Sequence, residues 1–270
     1  YFQIKMYSGI ALNVSDNLNF VVFFLTFHPV GNMYMRKVCT ASVIREDMLL
    51  LAAHCVVQPE DHVIGVPSWV QIGHKTTERT KFVPVHSLEI SVHPKYVYKM
   101  KYDIAVVKVP LGVLSGRTMA RLPRAPLLLY QNIDCVMVGF GWKTPDDGME
   151  YLQATKVIVN EVMFRNCTLK ILYQMLGISI LCTKMSGAGP CPGDSGGPLV
   201  CGGSLYGVLS RGLVGEICNG EGLVIYEDVM ENMGWIKKQL SSELMQKDSS
   251  QVMTSHFFIT MCIVFITINI

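Results

Sequence analysis

The chain carries the stretch Cys191-Pro-Gly-Asp-Ser-Gly-Gly-Pro-Leu-Val-Cys201, which sets one serine among glycines and between two cysteines. A serine hydroxyl attacks a carbonyl only when a base removes its proton and N–H groups receive the negative charge that forms on the carbonyl oxygen. Glycine beside the serine lets the backbone present such N–H groups. We therefore predict that Ser195 is a nucleophile and that the N–H groups of Gly193 and Ser195 form its oxyanion hole.

The same residues also satisfy Gly-x-Ser-x-Gly, the turn that presents the nucleophile in α/β-hydrolases. Enzymes of that fold place their acid and their histidine after the serine. The only histidine after Ser195 is His256, which lies in an apolar tail. The order of the chain therefore excludes an α/β-hydrolase and requires an upstream base.

Two upstream segments supply a base and an acid. One is Leu50-Leu-Ala-Ala-His54-Cys55, in which a histidine ends an apolar segment directly before a cysteine that could fix its position. The other is Asp103-Ile-Ala-Val-Val-Lys-Val109, in which an aspartate opens an apolar, β-branched segment. A carboxylate at that place can be buried against an imidazole.

At this point the chain closely resembles the trypsin/chymotrypsin family of serine proteases, whose triad runs His, Asp, Ser along the sequence. Ala-Ala-His-Cys, Asp-Ile-Ala-Val-Val and Gly-Asp-Ser-Gly-Gly-Pro occur in the family's order, and the resemblance extends from about residue 6 to 240. It implies an all-β fold of two six-stranded antiparallel β-barrels with a C-terminal helix. His54 would then be the general base, Asp103 its orienting partner and Ser195 the residue that forms the acyl-enzyme. The alternative is a pseudoprotease that keeps the fold as a surface binding module.

Nine cysteines are present, eight of them in the predicted globular part, which indicates an oxidising compartment. The ninth, Cys262, lies in the apolar tail. There is no Cys-x-x-Cys pair, and the cysteine spacings do not suit a zinc site, so we expect neither a metal nor a cofactor. The resemblance implies four disulfides: Cys39–Cys55, Cys135–Cys201, Cys167–Cys182 and Cys191–Cys218.

Length and charge agree with this interpretation. A chain of 270 residues suits one two-lobed all-β domain, and a net charge of +2 gives no sign of nucleic acid as a partner. Short β-branched runs, such as those starting at Phe20, Val38 and Lys156, alternate with turn residues. We predict the following parts: a propeptide remnant at 1–5, a first barrel at about 6–114, a linker at 115–130, a second barrel at 131–227, a helix at 228–240 capped by Asp228, a spacer at 241–256 and a hydrophobic anchor signal at 257–270.

The chain starts without a recognisable leader, and its predicted activation point is atypical. In the resembled family a new N-terminus, usually Ile-Val-Gly-Gly, pairs with the aspartate before the nucleophile, here Asp194. The segment Lys5-Met-Tyr-Ser-Gly9 lies at about the right distance, so Met6 is the predicted partner after cleavage following Lys5. Asn13 and Asn166 fit the N-glycosylation pattern.

The apolar block at 257–270 follows a polar spacer and is shorter than the roughly 20 residues of a spanning helix. A GPI-attachment signal with Ser249 or Ser250 at the processing site fits it best, and a single-pass anchor is the alternative. We expect the protein at the extracellular face of the plasma membrane, or secreted. Its predicted partners are polypeptide substrates, protein inhibitors and the membrane.

The resemblance also locates a specificity pocket formed by Gly189, Ser210, Gly212 and Val224. Trypsin-like members carry an aspartate where this chain has Gly189, so we predict a preference for small to medium apolar side chains. Glu221 is the only acidic residue expected near enough to substitute. Arg211 stands where the family usually has tryptophan.

Overall fold

Two antiparallel sheets dominate the computed structural model, which describes residues 10–12, 17–30, 33–57, 68–73, 81–85, 89–98, 100–127, 134–141, 155–159, 162–163, 180–185, 187–213, 218 and 222–241. The predicted all-β class is therefore confirmed. The strands, in chain order, are β1 (Ile10–Ala11), β2 (Val21–Val30), β3 (Met33–Arg45), β4 (Met48–Leu51), β5 (Ser68–Gly73), β6 (Lys81–Val85), β7 (Ile90–Val92), β8 (Ala105–Lys108), β9 (Cys135–Gly139), β10 (Thr155–Val159), β11 (Val162–Met163), β12 (Ile180–Met185), β13 (Pro198–Cys201), β14 (Ser204–Leu213) and β15 (Gly222–Asp228).

The first sheet has seven strands in the order β6-β5-β2-β3-β4-β8-β7, and the second has eight in the order β1-β10-β9-β13-β14-β15-β12-β11. Strands that follow one another along the chain are often hydrogen-bonded neighbours, as β2 is to β3 and β14 is to β15. These counts, over the described residues, differ from the six strands expected for each barrel. In the second sheet, β1 and β11 are edge strands of only two residues each.

The apolar runs form the strands because they can be buried. The side chains of Val21 to Leu25 in β2 are at most 1% exposed. Phe23 of β2 meets Phe140, which directly follows β9, edge to face with ring centroids 5.7 Å apart. Such aromatic pairs add to the stability gained by burial, so this contact joins the two sheets. The second sheet has its own core, in which Tyr226 and Met137 are fully buried.

The linker between the sheets holds both of them through adjacent residues. Ala120 donates its N–H to the carbonyl of Val43 in β3 at 2.7 Å, and the carbonyl of Arg121 accepts from Leu205 of β14 at 2.8 Å. Leu114 and Ala120 are buried. The segment predicted as a linker therefore packs against the sheets.

The chain's first described strand departs from the prediction. We expected residues from about 6 to 114 to belong to the first barrel, but β1 pairs with β10 of the second sheet, with Ile10 opposite Lys156. A two-residue strand carries too little hydrophobic pattern to choose its sheet, so the pairing could not be foreseen.

The C-terminal helix spans residues 233–241 rather than beginning at 228. Asp228 caps the turn before it: its Oδ1 accepts N–H groups from Met230 at 2.8 Å and Glu231 at 3.3 Å. The helix was predicted too early because a capped turn and a helix start share this signature. The two sheets belong to one compact unit (Tyr1–Asn232) and the helix to a second (Met233–Ile270).

Among the described residues, no helix has the length and apolar character needed to cross a membrane. Several predicted features lie outside the described residues: Lys5, Met6, Asn13, Asn166, Cys167, Glu221, Ser249, Ser250, Cys262 and the segment 257–270.

Candidate active site

His54 lies in a short 3₁₀ turn (Ala53–Cys55) that follows β4. The next residue, Cys55, forms a disulfide with Cys39 of β3, with the two Cα atoms 6.1 Å apart. Strand and disulfide together fix the backbone on both sides of the imidazole. Both sulfurs lie near His54 but are bonded to each other, so they are not available as thiolate ligands for a metal.

Asp103 meets His54 through two hydrogen bonds. His54 Nδ1 lies 2.7 Å from Asp103 Oδ2, and the His54 backbone N–H donates to Oδ1 at 2.8 Å. The carboxylate is 2% exposed and accepts a third bond, at 2.7 Å, from the Ser210 hydroxyl. Burial alone would raise the pKa of Asp103, but the charge of His54 and the hydrogen bonds from His54 and Ser210 outweigh it and lower that pKa. Asp103 is therefore held as an anion that orients the imidazole.

Ser195 is partly exposed, and its carbonyl is tied to the first sheet. Its carbonyl accepts the Thr40 N–H at 2.8 Å and lies 3.7 Å from Cys55 Sγ, beside His54. The next residue, Gly196, has φ +83°, and a Cβ there would lie 2.3 Å from the Thr40 carbonyl oxygen, so only glycine fits. Within the described residues the Ser195 hydroxyl makes no hydrogen bond. In unliganded enzymes catalytic hydrogen bonds are often long and tighten only when the substrate is bound.

Asp194 is fully buried and its two oxygens accept backbone N–H groups, from Gly141 and from Cys191, each at 2.7 Å. Burial raises the pKa of Asp194 to about 7 even though both hydrogen bonds favour the charged form. Among the described residues no basic side chain forms an ion pair with it. A Cβ at Gly139 would lie 2.1 Å from Asp194 Oδ1, so glycine there makes room for the carboxylate.

The residues predicted for a specificity pocket have different surroundings. Gly189 is buried, and its neighbour Ala188 packs against the apolar cluster of the second sheet, to which Val224 belongs. Gly212 pairs with Val224 in the sheet, and a Cβ on Gly212 would meet nothing within 4 Å. The Ser210 hydroxyl donates to Asp103, and the place of this residue in the pocket stays a prediction.

The structure forms three of the four predicted disulfides, namely Cys39–Cys55, Cys135–Cys201 and Cys191–Cys218. In the fourth predicted pair, Cys182 is buried in β12 and Cys167 lies outside the described residues. Cys135 and Cys201 face each other across neighbouring strands, β9 and β13.

Sequence reasoning missed three residues that surround the site. Lys37 donates a hydrogen bond from Nζ to the His54 carbonyl, and burial lowers its pKa. Thr40 contacts the loop around Gly193. Glu227 lies close to Asp103 and is 1% exposed. Within the described residues, neither of its carboxylate oxygens has a partner that meets both the distance and the angle of a hydrogen bond. Only Glu227 had a signal in the sequence, as an acidic residue near the end of an apolar strand.

Comparisons with known proteins agree with the geometry. The family model described as Trypsin matches residues 24–236. Serine protease 28 of Mus musculus is 27% identical over 219 residues, covering 75% of this chain and 78% of its own length. Testisin of Homo sapiens is 29% identical over 236 residues, covering 79% of this chain and 74% of its own.

Among solved structures, one titled "Structure of GrC" superposes with a TM-score of 0.66 at 22% identity, covering 87% of this chain and 99% of its own. At that identity the likeness shows the fold alone, and the fold is the one that the strand pattern and motifs predict. Because the family model spans most of the chain, including His54, Asp103 and Ser195, this chain belongs to the trypsin family of serine proteases.

Proposed function

We propose that this protein is an active serine endopeptidase that cleaves peptide bonds through an acyl-enzyme. The observation that carries the proposal is the pair of hydrogen bonds between His54 and Asp103, at 2.7 and 2.8 Å. With Nδ1 engaged by Asp103, Nε2 is the nitrogen left to accept a proton. Ser195 lies on the loop beside this histidine, so its hydroxyl is the proton donor that the pair can activate.

The reaction follows from these positions. Ser195 Oγ attacks the peptide carbonyl while His54 takes the hydroxyl proton, and the N–H groups of Gly193 and Ser195 bind the oxyanion. The tetrahedral intermediate collapses, the C–N bond breaks, and the leaving amine takes the proton from His54. Water then attacks the ester by the same route and frees Ser195. Asp103 stays ionised throughout and stabilises the imidazolium.

A fluorophosphonate probe tests this function, because it reacts only with an activated serine. We expect the full chain to be labelled after limited trypsin treatment, and the Ser195→Ala protein to remain unlabelled under the same conditions. A wild-type protein that stays unlabelled before and after trypsin would instead support the second candidate, a binding module without turnover. That candidate is favoured by one observation of the sequence, namely that Lys5-Met-Tyr-Ser-Gly9 stands where the resembled family usually has Ile-Val-Gly-Gly.

Activation is part of the same proposal. Cleavage after Lys5 would free the Met6 ammonium, which could then pair with Asp194. The buried position of Asp194 and its raised pKa support this, because a cation would relieve the cost of a buried carboxylate. We propose that the chain is made as a zymogen and that trypsin treatment of a Lys5→Gln variant produces no labelling.

We also propose that the enzyme does not prefer basic side chains at the cleaved bond. Gly189 supplies no charge, Val224 is 3% exposed in an apolar cluster, and Gly212 leaves a wall open. A buried arginine or lysine without a counter-charge loses several kcal/mol of solvation. A peptide library should therefore yield cleavage after small to medium apolar residues, and Gly189→Asp should raise cleavage after arginine on the order of 10²-fold. A wild-type profile dominated by arginine or lysine would contradict this, and its loss in Glu221→Gln would identify the acid responsible.

Passage through the secretory pathway is supported by the disulfides, which persist in oxidising compartments. Glycosylation at Asn13 and Asn166 and a GPI anchor that replaces residues 257–270 are proposals from the sequence alone. Release of the protein from cells by phosphatidylinositol-specific phospholipase C would test the anchor.

A further inference from the structure

Thr40 is a fully buried residue of β3 that reaches from the first sheet to the loop carrying Ser195. It lies opposite Phe23 of β2, whose ring meets Phe140. Its N–H donates to the Ser195 carbonyl at 2.8 Å. Its hydroxyl donates to the Gly193 carbonyl at 2.9 Å and accepts the Phe140 N–H at 3.0 Å. The side chain thus bridges Phe140, which follows β9, and Gly193, which lies on the loop before β13.

The Gly193 carbonyl is a sensitive place for such a bond. Gly193 has φ +99°, a conformation open mainly to glycine, and glycine is the residue whose backbone rotates most freely. Its N–H is the proposed oxyanion donor. The hydrogen bond from Thr40 fixes the peptide after Gly193, which is joined through the Gly193 Cα to the peptide that carries the donor, and so limits the ways in which that donor can turn.

The bridge is separate from the contacts of Asp194. The Asp194 carboxylate holds the loop through the N–H groups of Gly141 and Cys191. Thr40 adds two different bonds, to the Gly193 carbonyl and to the Phe140 N–H. Because the Thr40 hydroxyl both donates and accepts a hydrogen bond, neither the Gly193 carbonyl nor the Phe140 N–H is buried without a partner.

We propose that Thr40 is a positioning residue for the oxyanion hole, whose hydroxyl locks Gly193 in the orientation that stabilises the transition state. The inference rests on the proposed protease function. Thr40, a residue of the first sheet, would thus help to order the loop alongside the contacts of Asp194.

The test compares Thr40→Val, which keeps the shape and removes the hydroxyl, with Thr40→Ser, which keeps the hydroxyl. Loss of a whole oxyanion donor costs about 10²- to 10³-fold in kcat, and a donor that is only less ordered should cost less. We expect kcat of trypsin-activated Thr40→Val to fall roughly 10- to 10²-fold with KM changed less than about 3-fold, and Thr40→Ser to stay near wild type. Thr183→Val is the matched control, because this buried threonine of β12 hydrogen-bonds Tyr226, at 3.3 Å, in the second sheet.

A second measurement does not require activity. In a Ser195→Ala background, amide hydrogen exchange of the peptide covering 191–197 should be faster in Thr40→Val than in Thr40→Ser or Thr183→Val. Thr40→Ala replaces the valine variant if that variant does not fold. If the fluorophosphonate probe does not label wild-type protein, the protease function is refuted, and the hydrogen-exchange result still decides the role of Thr40. Unchanged exchange, or unchanged kcat in an active enzyme, would overturn the proposal.

Discussion

Hydrolysis of a peptide substrate by Ser195→Ala or His54→Ala protein is expected to fall on the order of 10⁴- to 10⁶-fold in kcat, and the double variant should lose little more. Attack and proton transfer happen together, so either residue is useless without the other. Asp103→Asn should cost about 10⁴-fold, because an amide can hold the imidazole in the wrong tautomer. Steady-state kinetics on trypsin-activated protein measures all three effects.

Ser115→Ala is the control for this series, since Ser115 is exposed and lies in the linker. Circular dichroism should show that every variant is folded. Peptide hydrolysis at the wild-type rate by purified Ser195→Ala protein would refute the assignment of the nucleophile, whatever the other variants do.

The second large effect concerns stability and pH. Burial raises the pKa of both Asp194 and Glu227 to about 7, so both carboxyls bind a proton more tightly when the protein is folded. Their contribution to the free energy of unfolding is full below about pH 4 and is lost as the pH rises through about 7. At about 1.4 kcal/mol for each pKa unit, the loss is at most about 4 kcal/mol for each group. Asp103 acts with the opposite sign, but its change falls below pH 5.

Urea unfolding at pH 5 and pH 8 measures this dependence. The Lys5→Gln background keeps Asp194 from gaining an ammonium partner. We expect this protein to lose stability between the two pH values, and Asp194→Asn and Glu227→Gln each to remove part of the loss. Asp134→Asn, which changes an exposed aspartate, should leave it intact. The same pH dependence in all four proteins would show that neither buried carboxyl titrates in this range.

The sequence predicted the residues whose identity is tied to local chemistry. His54, Asp103 and Ser195 each stand in a short motif, and the strands built from β-branched runs appear where those runs are. What escaped prediction depends on partners far along the chain. The Thr40 hydroxyl donates to a carbonyl 153 residues away along the chain, and the residues next to Thr40 in the sequence do not predict that contact. The hydrogen bond from the Ser210 hydroxyl to Asp103, 107 residues away, was likewise not predicted.

The pattern of apolar and polar residues also failed to predict the burial of Glu227 and the pairing of β1. Glu227 is the second-to-last residue of the strand Gly222–Asp228, where alternation would allow an exposed polar residue, yet its side chain is buried. The two-residue strand β1 was given to the wrong sheet, because its pairing depends on the neighbouring edge rather than on its own residues.

The third hydrogen bond to Asp103, from Ser210, has a consequence for the timing of biosynthesis. During translation, His54 and Asp103 are synthesised well before Ser195 and Ser210, and N-terminal parts of a chain generally begin to fold first. The nascent first sheet could form its own core, but its aspartate would still lack the Ser210 hydroxyl, and its histidine would have no nucleophile to activate. If the proposed function holds, a partly synthesised chain would therefore be inactive, and peptide hydrolysis would require that Ser195 and Ser210 have been made and folded against the first sheet.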